Sequence, residues 1–295
     1  MSTGEVSLSR FCGSYCEQRL NLSDGSAEQL RVAVRLYGRF LGHEALVADF
    51  SKESLLGFLR GLLARCSPAT VNSKRAALLS LWRAAAEVGL CTPPPRIAKL
   101  IEPERLPVAW TVDQVSRLLA TAKRRPGHWY GVPVSLAWEI ALLTIWDTAA
   151  RVGSLLGADL SHVDLQQRTW RVPAEHLKGR RRDRLFRLHP QTVDAISRSL
   201  VNGRTTTKLF PYPYQRREVF LHLKCLLRDA GLPFDRQHLF HCLRRTAESY
   251  AAAARGIEWA AAATGHSVAV ARKSYISPMI CPAPSLIEAL PRPTI

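Results

Sequence analysis

Residues 241–246 read His241-Cys242-Leu243-Arg244-Arg245-Thr246, residues 264–267 read Thr264-Gly265-His266-Ser267, and Tyr275 follows the second histidine by nine positions. His241 and Arg244 are three apart, which on a helix puts them on one face. Gly265 has the residue type that ends a helix and Ser267 the type that caps the next, so the spacing predicts a short helix carrying Tyr275. Upstream, in Thr148-Ala149-Ala150-Arg151-Val152-Gly153-Ser154-Leu155, a lone Arg151 ends a long apolar helix of about 133–149 and precedes a second short apolar pattern. Between 168 and 188 the period changes: Trp170 and Val172 alternate with Arg171, and Leu185 and Leu188 flank a mixed run. This predicts a short antiparallel hairpin whose turn, Lys178-Gly179-Arg180-Arg181-Arg182-Asp183-Arg184, is strongly basic. Taken singly, an HxxR pair is more often a surface pair than a site, and a tyrosine in an apolar helix is usually core.

Further outward the chain is mainly helical. Leu30, Ala33, Val34, Tyr37 and Leu41 recur at helical spacing, and Leu55, Phe58, Leu59 and Leu62 do so between about 51 and 65. Ser67-Pro68 opens a third helix in this region, a hydroxyl cap followed by proline at the first turn. That helix buries Val71, Leu78, Leu79 and Trp82, and its first turns are expected to expose Asn72, Lys74 and Arg75 to backbone phosphates. Residues 1–23 show no clear period and read as a lead-in. Pro93, Pro94, Pro95, Pro103 and Pro107 cannot continue a helix, so the chain is expected to divide into a helical domain at 24–90, an extended linker at 91–107 and a second domain at 108–280. Residues 281–295 form a tail whose Leu286, Ile287 and Leu290 suit docking on a neighbouring protomer. Helices in the second domain resume near Thr192, Arg217, Phe240 and Ile257, so the fold class is mainly α with a small antiparallel β-sheet.

The 295 residues carry 41 Lys and Arg against 24 Asp and Glu, a net charge of +17 with most of the excess beyond residue 100. A field of that sign favours phosphate polyanions, by neutralising them and releasing their counterions. Seven cysteines without paired CxxC spacing fit reduced thiols rather than a disulfide framework. No apolar run reaches the roughly 18–20 residues of a bilayer-spanning helix, and the first 25 residues lack the order of a secretory signal. The expected location is cytoplasmic, with no membrane partner and no small-molecule substrate.

The set, in this order, resembles the tyrosine recombinase (phage integrase) family: an Arg box, a hairpin Lys, His-x-x-Arg, Gly-His, and a Tyr nine residues on. All six positions are occupied, by Arg151, Lys178, His241, Arg244, His266 and Tyr275. Ser67-Pro68-Ala69-Thr70-Val71-Asn72 is similar to the helix-opening segment of the family's core-binding (SAM-like) domain. The resemblance implies a two-domain clamp around double-stranded DNA, four protomers on two DNA sites, and a 3′-phosphotyrosyl intermediate. It departs from the family pattern at Ser154, where an acidic residue is usual, and at Thr264, where Leu is common. The hairpin turn has room for one residue more than usual. The short stretch before residue 24 leaves no room for the arm-site domain of many phage integrases, which points to a mobile-element, integron-like or chromosome-resolving role.

The chemistry fits these residue types. Two guanidiniums, Arg151 and Arg244, can hold a phosphate through paired, charge-assisted hydrogen bonds, with His266 as a further donor. A phenol of ordinary pKa about 10 needs a proton acceptor when it attacks, and His241 is the candidate. The resemblance implies that Lys178 protonates the departing 5′ oxygen. Arg180, Arg181 and Arg245 join Asn72, Lys74 and Arg75 as candidate DNA contacts. No metal site and no cofactor is expected, since the sequence has no second acidic cluster, no HExxH and no Walker lysine loop. A type IB topoisomerase and a non-catalytic DNA-binding protein of the same fold are the alternatives.

Overall fold

A computed structural model of the chain describes residues 6–19, 22–177, 182–200 and 203–282. Lys178, Arg180, Arg181 and the tail segment 283–295 lie outside the described residues. The chain divides into two compact units, 1–104 and 105–295.

Among the described residues the first unit holds four α-helices: α1 (Leu8–Gln18), α2 (Asp24–Leu41), α3 (Lys52–Leu63) and α4 (Pro68–Glu87). Ser23, Ser51 and Ser67 cap α2, α3 and α4, each side chain accepting from a backbone N–H three residues on. Their apolar stripes bury Tyr37, Leu55, Phe58, Leu78 and Trp82, and the rings of Phe50 and Trp82 stack at 5.0 Å.

Two expectations for this unit are corrected. The region read as a lead-in contains α1, which turns Leu8, Cys12 and Tyr15 into the core. With Phe11 and Cys16 they stand at helical spacing, but the helix is only 11 residues long and Gly13 and Ser14 interrupt it. Burial, reinforced by Cys16, pushes the Cys12 thiol up to about 12. Nor does α4 expose Asn72, Lys74 and Arg75, because the segment after the prolines folds back along Asn72 and Arg75 while α2 meets Lys74. Asn72 is buried, donating from Nδ2 to the Leu100 carbonyl (2.9 Å) and to Glu102 Oε1 (2.7 Å) and accepting at Oδ1 from the Leu100 N–H (2.9 Å). Arg75 Nε donates to the Ile97 carbonyl (3.0 Å). Lys74, also buried, donates to Gln29 Oε1 (2.8 Å), and desolvation lowers its pKa. All three side chains are committed inside the unit. Asn72→Ala is therefore expected to leave both polar groups of Leu100 unpaired and to cost about 1–3 kcal/mol, read from urea unfolding. An unchanged midpoint would mean that the fold-back of 97–102 contributes nothing to stability.

The second unit is built around α6 (Val134–Thr148), buried on nearly all sides, with Ile140, Ala141 and Ile145 fully enclosed. Before it come α5 (Val112–Ala122), opened by a Thr111–Gln114 capping box, and a two-stranded ribbon of β1 (His128–Trp129) and β2 (Val132–Pro133). After it come α7 (Val152–Leu156) and a three-stranded antiparallel sheet of β3 (Val163–Asp164), β4 (Thr169–Val172) and β5 (Arg184–Arg187), in that order. Opposed residues in an antiparallel pair share a face. Trp170 pairs with Phe186 and Val172 with Arg184, so the inner face carries both aromatics and an arginine while Leu185 is turned out. The remaining helices are α8 (Pro190–Arg198), α9 (Arg216–Asp229), α10 (Phe240–Arg255), α11 (Ile257–Thr264) and α12 (Val268–Ser274). No described helix is long and apolar enough to cross a membrane.

Candidate active site

Helix α10 supplies three of the site's side chains. Its core face buries Cys242, Leu243, Thr246 and Ser249, which fixes the helix's rotation. His241 lies at its start, Arg244 one turn on, and Glu248 a further turn on. Arg244 is only 3% exposed and Glu248 is fully enclosed.

The break between α6 and α7 faces this helix. Ala149 ends α6 at φ 47°, a left-handed conformation that costs an L-residue about 1–2 kcal/mol. The resulting sharp turn frees the Ala149 carbonyl to accept from Arg244 Nη1 and brings Arg151 to the start of α7. Ser154 is buried, donating from Oγ to the His176 carbonyl (2.8 Å), and so anchors α7 to the segment before the basic turn.

Gly265 ends α11 at φ 76° and delivers His266 into the pocket. A side chain at 265 would run into the Arg184 guanidinium, which reaches over from β5 and donates from Nη2 to the Ala262 carbonyl (3.2 Å). His266 Nε2 lies 2.6 Å from Arg244 Nη2 and 3.5 Å from Arg151 Nη2. A guanidinium can only donate, so Nε2 carries the lone pair and the ring proton sits on Nδ1. Nδ1 faces Glu248 Oε1 at 3.2 Å, and Thr264 Oγ1 lies 3.0 Å from the same carboxylate oxygen.

Tyr275 follows directly on α12, which Ser267 caps. The backbone here is tied to α10: Arg245 Nε donates to the Ser274 carbonyl (3.0 Å), and Ser249 Oγ donates to the Tyr275 carbonyl (3.1 Å) while lying 2.9 Å from the Ser277 N–H. The Tyr275 ring stacks on His266 with centroids 4.1 Å apart, meets the His241 ring edge-on at 5.1 Å, and lies 5.0 Å from Arg244 Cζ.

The pocket is strongly cationic. Burial and Arg151 depress the pKa of Arg244; burial, Arg182 and Arg151 do the same to Arg184. His241 keeps an exposed edge, yet water exclusion around the rest of its ring, followed by Arg245, Arg244, Arg151 and His266, lowers its pKa to about 4. Because that value lies below the ordinary 6.5, His241 is neutral throughout the physiological range. Histidine NMR of the free protein is expected to show its ring unprotonated from pH 8 down to about 5. A midpoint near 6.5 would contradict the cationic surroundings.

Arg151, His241, Arg244, His266 and Tyr275 thus come together, while Lys178 lies outside the described residues. Two neighbours were not among the expected site residues. Glu248 is on the same helical stripe as His241 and Arg244, at steps of seven and four. Arg184 shares an inner strand face with Phe186, a consequence of the period of two. Among the described residues, no three His, Cys, Asp or Glu side chains gather as a metal site.

The sequence model of the phage integrase family matches residues 109–277. No curated protein matches the chain. Among solved structures it is similar to a lambda integrase tetramer bound to a Holliday junction, with 16% identity, a TM-score of 0.68, and coverage of 90% of this chain and 76% of that one. It is also similar to the Tn1549 transposon integrase in complex with a circular intermediate DNA, with 14% identity, a TM-score of 0.65, and coverage of 97% and 100%. At such identities the likeness is one of fold. The family match spans more than half of the chain, from the start of the second unit through the tyrosine, and it places this protein in the phage integrase family of tyrosine recombinases.

Proposed function

We propose that the chain cuts and rejoins duplex DNA at specific sites through a 3′-phosphotyrosyl intermediate on Tyr275, with no metal ion or nucleotide. The carrying observation is the convergence of Arg151, His241, Arg244, His266 and Tyr275, drawn from distant parts of the sequence, with the phenol packed against both imidazoles.

Arg244 and Arg151 turn their Nη donors onto the non-bridging oxygens of the scissile phosphate, where negative charge develops in the transition state. The Tyr275 oxygen attacks phosphorus and its proton passes to neutral His241. The bond from phosphorus to the 5′ oxygen breaks. That oxygen takes a proton from Lys178, the acid that the resemblance implies. The phosphotyrosine keeps the energy of the broken ester, so a 5′ hydroxyl from another strand can reverse the step on a new partner. Arg180, Arg181 and Arg245 are proposed to contact DNA phosphates, and four protomers to hold two sites, as four copies of lambda integrase do on a Holliday junction.

The test uses a supercoiled plasmid with two copies of the DNA flanking the coding gene, in EDTA without ATP. Deletion or inversion between the copies is expected. Relaxation without joining would assign a topoisomerase, and binding without breakage a non-catalytic protein.

A further inference from the structure

We infer that Glu248 is a positioning residue that fixes the tautomer of His266 and readies its Nε2 to take up a proton when phosphate draws Arg244 away. This rests on the proposed phosphate site and deepens it.

The buried atoms form a chain: Glu248 Oε1, His266 Nδ1–H, His266 Nε2, Arg244 Nη2–H. Glu248 is fully enclosed, and burying a carboxylate is costly unless partners compensate. Its Oε2 has no hydrogen-bond partner among the described residues, and neither does Arg244 Nε. Among the described residues no ion pair links the two side chains directly. The carboxylate therefore acts on the guanidinium through the imidazole between them.

That arrangement has a chemical consequence. At rest, Nε2 is an acceptor for Arg244. Once a phosphate oxygen takes the Arg244 donor, the Nε2 lone pair would face an anion. The ring cannot simply exchange tautomers, because Nδ1–H is held by Glu248. It instead takes up a hydronium proton from solvent at Nε2, releasing water, becomes an imidazolium between two anions, and donates to the non-bridging oxygen. Arg244 on α10, Arg151 before α7 and Arg184 on β5 oppose that second proton. The Tyr275 ring stacks on the imidazole, and His241, on the far side of Tyr275, is neutral. Glu248 favours the proton, with Thr264 Oγ1 beside its Oε1.

Two readouts on the full-length protein test this. The first is nitrogen-15 histidine NMR with and without saturating inorganic phosphate. Wild type is expected to show Nδ1–H alone at rest and both N–H groups with phosphate at pH 7. In Glu248→Gln, which keeps an acceptor but loses the charge, the second proton should appear only about one pH unit lower. An Nε2–H tautomer at rest, or identical titrations of the two proteins, would overturn the inference whether or not the chain cleaves DNA. The second is the rate of covalent adduct formation on a nicked duplex taken from the flanking DNA. Glu248→Gln should fall about tenfold at pH 8, the equivalent of one pKa unit, and recover towards wild type at pH 6. A loss equal at all pH values would make Glu248 merely structural. Absence of any wild-type adduct would sink the proposed cleavage, and the NMR titration would still decide the role of Glu248.

Discussion

Tyr275→Phe is expected to abolish the covalent protein–DNA complex while leaving a folded protein that binds DNA. The substitution removes one oxygen. The ring that stacks on His266 and meets His241 edge-on remains, as do the backbone ties from Arg245 and Ser249. Losing a nucleophile that acts together with its base and its oxyanion donors costs on the order of 10⁴-fold or more, which puts the variant below detection. The measurement is the fraction of labelled nicked duplex that stays attached to protein in denaturing gels, with DNA affinity followed in parallel by fluorescence anisotropy. Retained affinity with no adduct is the expected pair of results. An adduct formed by the Phe variant would move the nucleophile elsewhere.

Arg244→Lys should produce the second largest loss. The guanidinium makes two directed bonds, Nη1 to the Ala149 carbonyl and Nη2 to His266. A lysine keeps the charge but presents a single ammonium, so it cannot hold the Ala149 carbonyl and turn a second directed donor from the imidazole to the phosphate. Removing one preorganised donor at a developing oxyanion costs roughly 10²–10³ in rate, and the expected fall in single-turnover cleavage is of that size with DNA affinity little changed. Arg244→Ala should also destabilise the fold by about 1–3 kcal/mol, because the Ala149 carbonyl and His266 Nε2 then lose their buried donor. If Arg244→Lys cleaved at the wild-type rate, Arg244 would be a structural cation only.

Apart from α1, the helices of both units were legible because their signals are local. Ser67-Pro68 announces α4, Thr111 with Gln114 announces α5, and Gly265 followed by Ser267 marks the junction that carries His266. The hairpin of β4 and β5 was legible from the alternation around Arg171. What escaped depends on what packs against what. Asn72 and Arg75 lie on polar positions of α4 and turn inward because residues 97–102 return along the helix, and Lys74 because Gln29 of α2 meets it, neither of which a helical period encodes. Arg184 reads as one more cation of a basic turn until the strand register brings it against Gly265. Glu248 stands one turn beyond Arg244, but its partner His266 lies past the next helix, and only the fold makes them neighbours.

The central claim is that a phenol at 275 becomes esterified to DNA. Its most direct test is to trap the protein on a nicked duplex in EDTA, digest both components, and sequence the nucleotide-bearing peptide by mass spectrometry. The expected result is a 3′-phosphate on Tyr275, a free 5′ hydroxyl on the released strand, and no adduct from Tyr275→Phe. A nucleotide on any other side chain, or a 5′-phosphate with no covalent peptide, would contradict it.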